Sequence, residues 1–211
     1  MPEVDLYLIV TLALGLLIRP LTPFSTIFLT MAKVFQLNLH HATLATGVVV
    51  GKHADSIYLV QDTLFKSGKP QVRRKAHYHG KSDSRAGIYL SALHSCTFVP
   101  MHQFTDTDIA TGTLEGGTLK EPLVITSVYL ADVKTTPKPP TVLPKLKELV
   151  EHCYRSGKRL LCGLDSNAHS SLWGSPDTNS RGEDLEEFIF EYGLYVETVS
   201  YTHLRAHETR I

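Results

Sequence analysis

The sequence predicts a layered α/β sandwich with mixed β-sheets. Short apolar runs of strand length recur along the chain and end in polar residues. Two stretches near the far end, residues 143–157 and 182–191, carry helical periodicity instead. Strands therefore alternate with helices only in part, which suits layered mixed sheets better than a doubly wound parallel sheet. No glycine-rich phosphate loop and no internal repeat is present, so nucleotide binding of the loop-and-helix kind is not expected.

The elements follow in order. Residues 34–39 set Val34, Phe35, Leu37 and Leu39 around Gln36 and Asn38, a first strand. Residues 42–53 read as a weak helix, with Leu44 and Val48 one turn apart but Gly47 and a run of valines against it. Residues 57–61 form a second buried strand, closing at Gln61 and Asp62. A third starts at Arg85 and turns apolar at Ala86. Residues 97–119 fit no single pattern, with turns expected at Gly112, Gly116 and Gly117. Residues 123–130 are a fourth strand, and residues 134–144 a stiff Pro/Thr loop. Leu143, Leu146, Leu149, Val150 and Cys153 trace one helical face that Gly157 stops. A fifth strand, residues 160–164, is followed by a helix with Leu185, Phe188 and Ile189 inward and Gly193 at its end.

Composition bounds the function. The chain's 211 residues suffice for one domain with a core. Its 21 basic and 21 acidic residues cancel, so any nucleic-acid contact must come from a local patch. Cys96, Cys153 and Cys162 are widely spaced, lack zinc spacing and read as reduced thiols, two of them in the core. Residues 1–30 contain an apolar run, 6–18, that is short for a membrane span and has acids where a signal peptide has basic residues. They are expected to be a leader outside the domain. Residues 199–211 resemble the translation of a sequencing adapter and are expected to be an artefactual tail. His203 and His207 therefore suggest no metal site, despite their helical spacing.

Polar groups collect at strand ends: Asn38 after the first, Asp62 after the second, Tyr129 near the end of the fourth, and Asp165 with Asn167 after the fifth. Strand ends on one rim of a sheet can converge on a ligand. A carboxylate there can deprotonate a water, an amide can hold a charged oxygen, and either can assist a metal ion. Each residue also has a plainer reading: Asn38 as a cap, Asp62 as a loop acid, Tyr129 as core, and Asp165 to Asn167 as a self-bonded loop. Trp173 reads as a packing anchor. Lys66, Lys69, Arg73, Arg74, Lys75, Lys81 and Arg85 form a basic stretch, read either as a solvated loop or as a phosphate-contacting one.

Three motifs then point to one family: Gly163-Leu-Asp-Ser-Asn-Ala-His-Ser-Ser-Leu-Trp-Gly-Ser175, Asn179-Ser-Arg-Gly182 and Leu185-Glu-Glu-Phe-Ile189. They closely resemble the endonuclease/exonuclease/phosphatase superfamily, in the apurinic-endonuclease-like form found at the start of non-LTR retrotransposon polyproteins that also carry a reverse transcriptase. The resemblance runs from about residue 32 to 198, strongest over 159–193. It implies a DNase-I-like fold and magnesium-dependent nicking of DNA, with manganese as a substitute. It implies that Asn38 and Asp62 hold the metal, the family's usual Glu being Asp62 here. It gives Asp165 the carboxylate that orients the attacking water, Asn167 the amide beside the scissile phosphate, and Tyr129 the tyrosine that contacts a phosphate oxygen. Arg73, Arg74, Lys75 and His169 become candidate DNA contacts. The target DNA is the implied partner, with no stable protein partner, no membrane unless the leader is real, and a nuclear setting.

Besides Asp62, the sequence departs from the family at its end. The family closes its site with a later Asp and a Ser-Asp-His segment, and neither follows Thr198. A domain incomplete at its C-terminus, with little or no activity of its own, is therefore expected. Two other functions stay open: a superfamily phosphoesterase acting on a small molecule or lipid, and an inactive fragment that binds nucleic acid.

Overall fold

Two sheets form the frame of the computed structural model, which describes residues 6–11, 33–39, 56–63, 65–66, 69–70, 77–90, 96–117, 119–132 and 140–197. The larger sheet holds, in spatial order, β12 (Tyr195–Glu197), β1 (Leu6–Thr11), β11 (Arg159–Asp165), β10 (Leu123–Tyr129), β9 (Ile109–Glu115) and β8 (Thr97–Pro100). The smaller holds β2 (Lys33–Asn38), β3 (Ser56–Gln61), β7 (Ala86–Leu90) and β6 (His77–His79). A short hairpin, β4 (Phe65–Lys66) and β5 (Lys69–Pro70), stands apart. Parallel and antiparallel pairs occur in both main sheets, as expected of mixed sheets.

Residue alternation sorts the side chains into three layers. Val34, Ile57, Leu59 and Ile88 of the smaller sheet meet Leu114, Ile125 and Leu161 of the larger in the space between them. The other face of the larger sheet presents Val124, Val128, Leu160, Cys162 and Leu164 to α1 (Pro144–Ser156) and α2 (Ser180–Glu191). There Leu149, Val150, Leu185 and Ile189 are buried, each contributing about 1.5–3 kcal/mol by leaving water. The helical face read from Leu146, Leu149, Val150 and Cys153 is the buried face of α1, and Gly157 ends that helix in the left-handed region. Cys153 and Cys162 are free and buried in this core, and Trp173 anchors it with its indole N–H donated to Ala168 O at 3.1 Å.

Close approach of the sheets explains one glycine. A Cβ on Gly163 would stand 2.9 Å from Leu59 Cβ, so β11 carries no side chain there. Gly112 departs from its expected turn: it lies inside β9, and a Cβ would strike the Phe98 ring at 2.2 Å. The unpatterned stretch 97–119 resolves into the antiparallel pair of β8 and β9, with Val99 opposite Thr113. Gly116 and Gly117, both with positive φ, follow that pair.

Residues 6–11, read from sequence as leader, lie inside the larger sheet. β1 is flanked by parallel β11 on one side and parallel β12 on the other, with Thr11 opposite Asp165. Its β-branched and aromatic residues suit a strand, and an apolar run too short for a membrane span is long enough for one. The weak helix expected over 42–53, most of the loop 134–144 and the tail 199–211 lie outside the described residues. Removing β1 would strip backbone partners from β11 and β12. A chain beginning at Ala32 should therefore melt below the full chain and aggregate more readily, as read by thermal denaturation and size-exclusion chromatography. Equal melting of the two would place β1 outside the cooperative unit.

Candidate active site

The registers of two parallel pairs bring the predicted residues to one rim. β2 and β3 end together, with Asn38 opposite Gln61, and β10 and β11 end together, with Tyr129 opposite Asp165. Backbone bonds continue each pair by one residue: Leu39 N donates to Gln61 O and Leu130 N to Asp165 O, both at 2.8 Å. Gln36 and Asn38 alternate with the outward Phe35 and Leu39 and so share the inner side of β2. Across the gap, Asn38 Nδ2 donates to Asp165 Oδ2 at 2.5 Å. Gln61 Nε2 donates to Ser127 Oγ at 3.0 Å and to Gly163 O at 3.2 Å, and Ser127 Oγ donates to Val60 O at 2.8 Å. These bonds join the two sheets directly beneath the rim.

Beyond the strand ends the chain bends sharply. Asp62 and Asn167 have φ of 49° and 45°, in the left-handed region that Asp and Asn tolerate better than most residues. Asn167 is fixed by its own amide, whose Nδ2 donates to Leu130 O at 2.8 Å, and its side chain also meets the Tyr129 hydroxyl. Asp62 interacts electrostatically with both Asp165 and Tyr129. Asn38, Asp62, Tyr129 and Asn167 are half-buried around a fully buried Asp165.

That burial sets the chemistry. It pushes the Asp165 carboxyl up to about 6, opposed by the Asn38 amide and the Asn167 N–H, reinforced by Asp62 and opposed again by Arg181. Tyr129 is also raised, first by burial and then by the two carboxylates, which keeps its hydroxyl a hydrogen-bond donor near neutral pH. The rim thus combines a carboxylate that titrates near neutrality with a donor that does not.

The loop after β11 is held by the Asn179-Ser-Arg-Gly182 motif. Asn179 Oδ1 accepts from Gly182 N at 2.8 Å, capping α2, and from His169 N at 3.3 Å. Gly182 leaves no room for a side chain, since a Cβ would stand 1.8 Å from His169 O. Arg181 is 4% exposed and donates to Ala131 O at 2.5 Å and Pro140 O at 3.3 Å. His169 itself is exposed, with Nδ1 3.2 Å from Asp177 Oδ1, and no hydrogen bond joins its ring to the rim residues. Arg73, Arg74 and Lys75 lie outside the described residues.

Gln61, Arg181 and Asp108 also shape the rim without having been site candidates from sequence, and Asp108 does so through Arg85, the last residue of the basic stretch. Gln61 had a readable signal, as an amide inside an apolar strand run. Arg181 had one in its motif. Asp108 had none, because only the packing of β9 beside β7 brings it to Arg85.

Known proteins resemble this chain in sequence and in fold. Residues 123–210 match the family model described as "Endonuclease-reverse transcriptase". That match takes in Tyr129, Asp165 and Asn167 and runs past residue 198; Asn38 and Asp62 lie before it. The solved "Endonuclease domain of TRAS1, a telomere-specific non-LTR retrotransposon" is similar in structure, with a TM-score of 0.52 and 24% identity over 76% of this chain and 70% of that one. No curated protein matches the chain. The fold is DNase-I-like, and the C-terminal part of the chain is similar to an endonuclease-reverse transcriptase family.

A carboxyl raised from its unfolded value lends stability below that value and withdraws it as pH climbs through the folded pKa. For Asp165 that window runs from about 4 to about 6. In metal-free buffer, Asp165→Asn should stabilise the chain by on the order of 2 kcal/mol above pH 7 and by almost nothing below pH 4. Denaturant titrations at the two pH values test this. A substitution that destabilises equally at both would show that burial does not dominate at Asp165.

Proposed function

We propose that this chain is a DNA-nicking endonuclease domain of a non-LTR retrotransposon, hydrolysing phosphodiester bonds with a divalent cation. The observation that carries the reading is the buried Asp165, bonded by Asn38 from the opposite sheet and flanked by Tyr129 and Asn167, within the segment that matches an endonuclease-reverse transcriptase family.

The residues fit a hard cation. Asn38, Asp62 and Asp165 offer only oxygen as ligand atoms, and Asp62 raises the cost of ionising Asp165, which a bound cation would relieve. No group of three or more His, Cys, Asp or Glu is placed to chelate a metal among the described residues. Magnesium binds through one or two carboxylates and keeps its waters and the substrate's phosphate as further ligands, a demand that Asp62 and Asp165 can meet. Asn38 and Asp62 would hold it, with manganese as a substitute, and when bound it would offset charge developing on the phosphate.

The chain's own residues do the rest. Asp165, ionised above about pH 6, orients a water and takes its proton. Asn38 fixes which way that carboxylate faces. Asn167, locked to Leu130 O, sets its amide beside the scissile phosphate, and Tyr129 donates to a non-bridging oxygen. The DNA would be the substrate and Arg73, Arg74, Lys75 and His169 its outer contacts.

The test is nicking of supercoiled plasmid with magnesium, with manganese and with EDTA. An acid–base histidine in a Ser-Asp-His segment is expected to add about a hundred- to ten-thousand-fold, so the assay compares residues 32–198 with a chain extended by a family-like Asp and Ser-Asp-His segment. In the extended chain Asp165→Ala should abolish nicking, and EDTA should do the same. Nicking that survives Asp165→Ala, or hydrolysis of small phosphoesters without nicking, would reject the proposal.

A further inference from the structure

Arg85 is tied to the rim at three points. Its N–H donates to Thr107 O at 2.7 Å, and its carbonyl accepts from Asp62 N at 2.8 Å, so its backbone supports the left-handed turn at Asp62. Its Nε and Nη2 donate to Oδ1 and Oδ2 of Asp108, each at 2.5 Å. Asp108 in turn accepts at its backbone oxygen from Tyr129 N at 2.9 Å. The guanidinium carbon lies 5.2 Å from the centre of the Tyr129 ring.

This arrangement does more than join two strands. A half-exposed ion pair adds little to stability by itself. What the fork geometry supplies is direction: a guanidinium gripped along its Nε and Nη2 side has its opposite end, Nη1 and the second Nη2 hydrogen, aimed one way. The side chain is 37% exposed, and Asp108 holds its charge firmly on. Asp62 adds to that hold from the rim side, so the cation stands beside the proposed metal ligands. Lys81 contrasts with it, being paired to Asp106 by a single contact with both side chains more exposed.

We propose that Arg85 binds a phosphate oxygen of the substrate and positions Tyr129, with Asp108 as the residue that aims it. The inference rests on the phosphodiester reading above and adds to the rim a half-exposed cation, whereas Arg181 is buried with its hydrogens on backbone oxygens. One face of the guanidinium would fix the tyrosine ring, while its open end would take an anionic oxygen beside the one Tyr129 contacts.

The test uses the full chain and a fluorescein-labelled 20-base-pair duplex of mixed sequence in EDTA. Anisotropy titrations at several salt concentrations give the slope of log affinity against log salt. Losing one phosphate contact lowers that slope by about one. R85Q should show that drop, and R85K should keep the slope while binding less tightly. A merely structural role would change affinity without changing the slope. A second measurement needs no substituted protein to fold. The Nε–H resonance of Arg85 in the unsubstituted chain should move when duplex is added. An unchanged slope in R85Q, or an unmoved resonance, overturns the role of Arg85 while leaving DNA binding intact. No salt-dependent binding by the unsubstituted chain overturns this inference and the endonuclease reading together.

Discussion

The bridge from Gln61 to Ser127 and Gly163 is the constraint on which the rest of the rim depends. Below it the space between the sheets is filled by aliphatic side chains; at its level the filling becomes polar. Gln61 belongs to the smaller sheet and its two acceptors to the larger, and Ser127 returns a bond to Val60 of the smaller. The spacing of the sheets at that point is therefore set by hydrogen-bond lengths. Leaving such buried groups unpaired would cost about 1–3 kcal/mol each. The same spacing lets Asn38, one strand over from Gln61, reach Asp165 across the gap. Gly163 makes it possible, because a side chain there would collide with Leu59.

Above the bridge, the rim is an electrostatic balance. A carboxylate buried beside a second carboxylate resists ionisation, and two arginines answer from opposite sides. Arg181 is buried under the β10–α1 loop, and its charge favours an ionised Asp165 while its hydrogens are taken by backbone oxygens. Arg85 is half-exposed, and its charge is shared between Asp108 and the face of Tyr129. Burial and Asp62 outweigh the groups that favour ionisation, and the Asp165 carboxyl stays raised, to about 6.

Periodicity and turn chemistry made most of the frame legible. The five strand runs reappear as β2, β3, β7, β10 and β11, and both helical faces are buried as their spacing implies. The site residues were legible as a set because each closes an apolar run. Two features were not. β1 reads as a leader because a short apolar run beside a charged start has no local signature that distinguishes a strand from a leader; its partners β11 and β12 lie more than 140 residues away. The stretch 97–119 gave no pattern because Thr97–Pro100 is largely exposed and Ile109–Glu115 largely buried, so neither alternates.

By itself, the sequence determined the fold class, the strands that end in polar groups, the helical stops and the motif that carries the family resemblance. These are local properties, read from residues a few positions apart. Only the tertiary structure decided which residues share the rim and in what electrostatic state. The contact of Asn38 with Asp165, the Gln61 bridge and the Arg85–Asp108 grip join residues from 23 to 127 positions apart. The raised carboxyl of Asp165 depends on burial by both sheets at once. Such couplings depend on the distance between separately formed layers, a quantity that no spacing along the chain encodes.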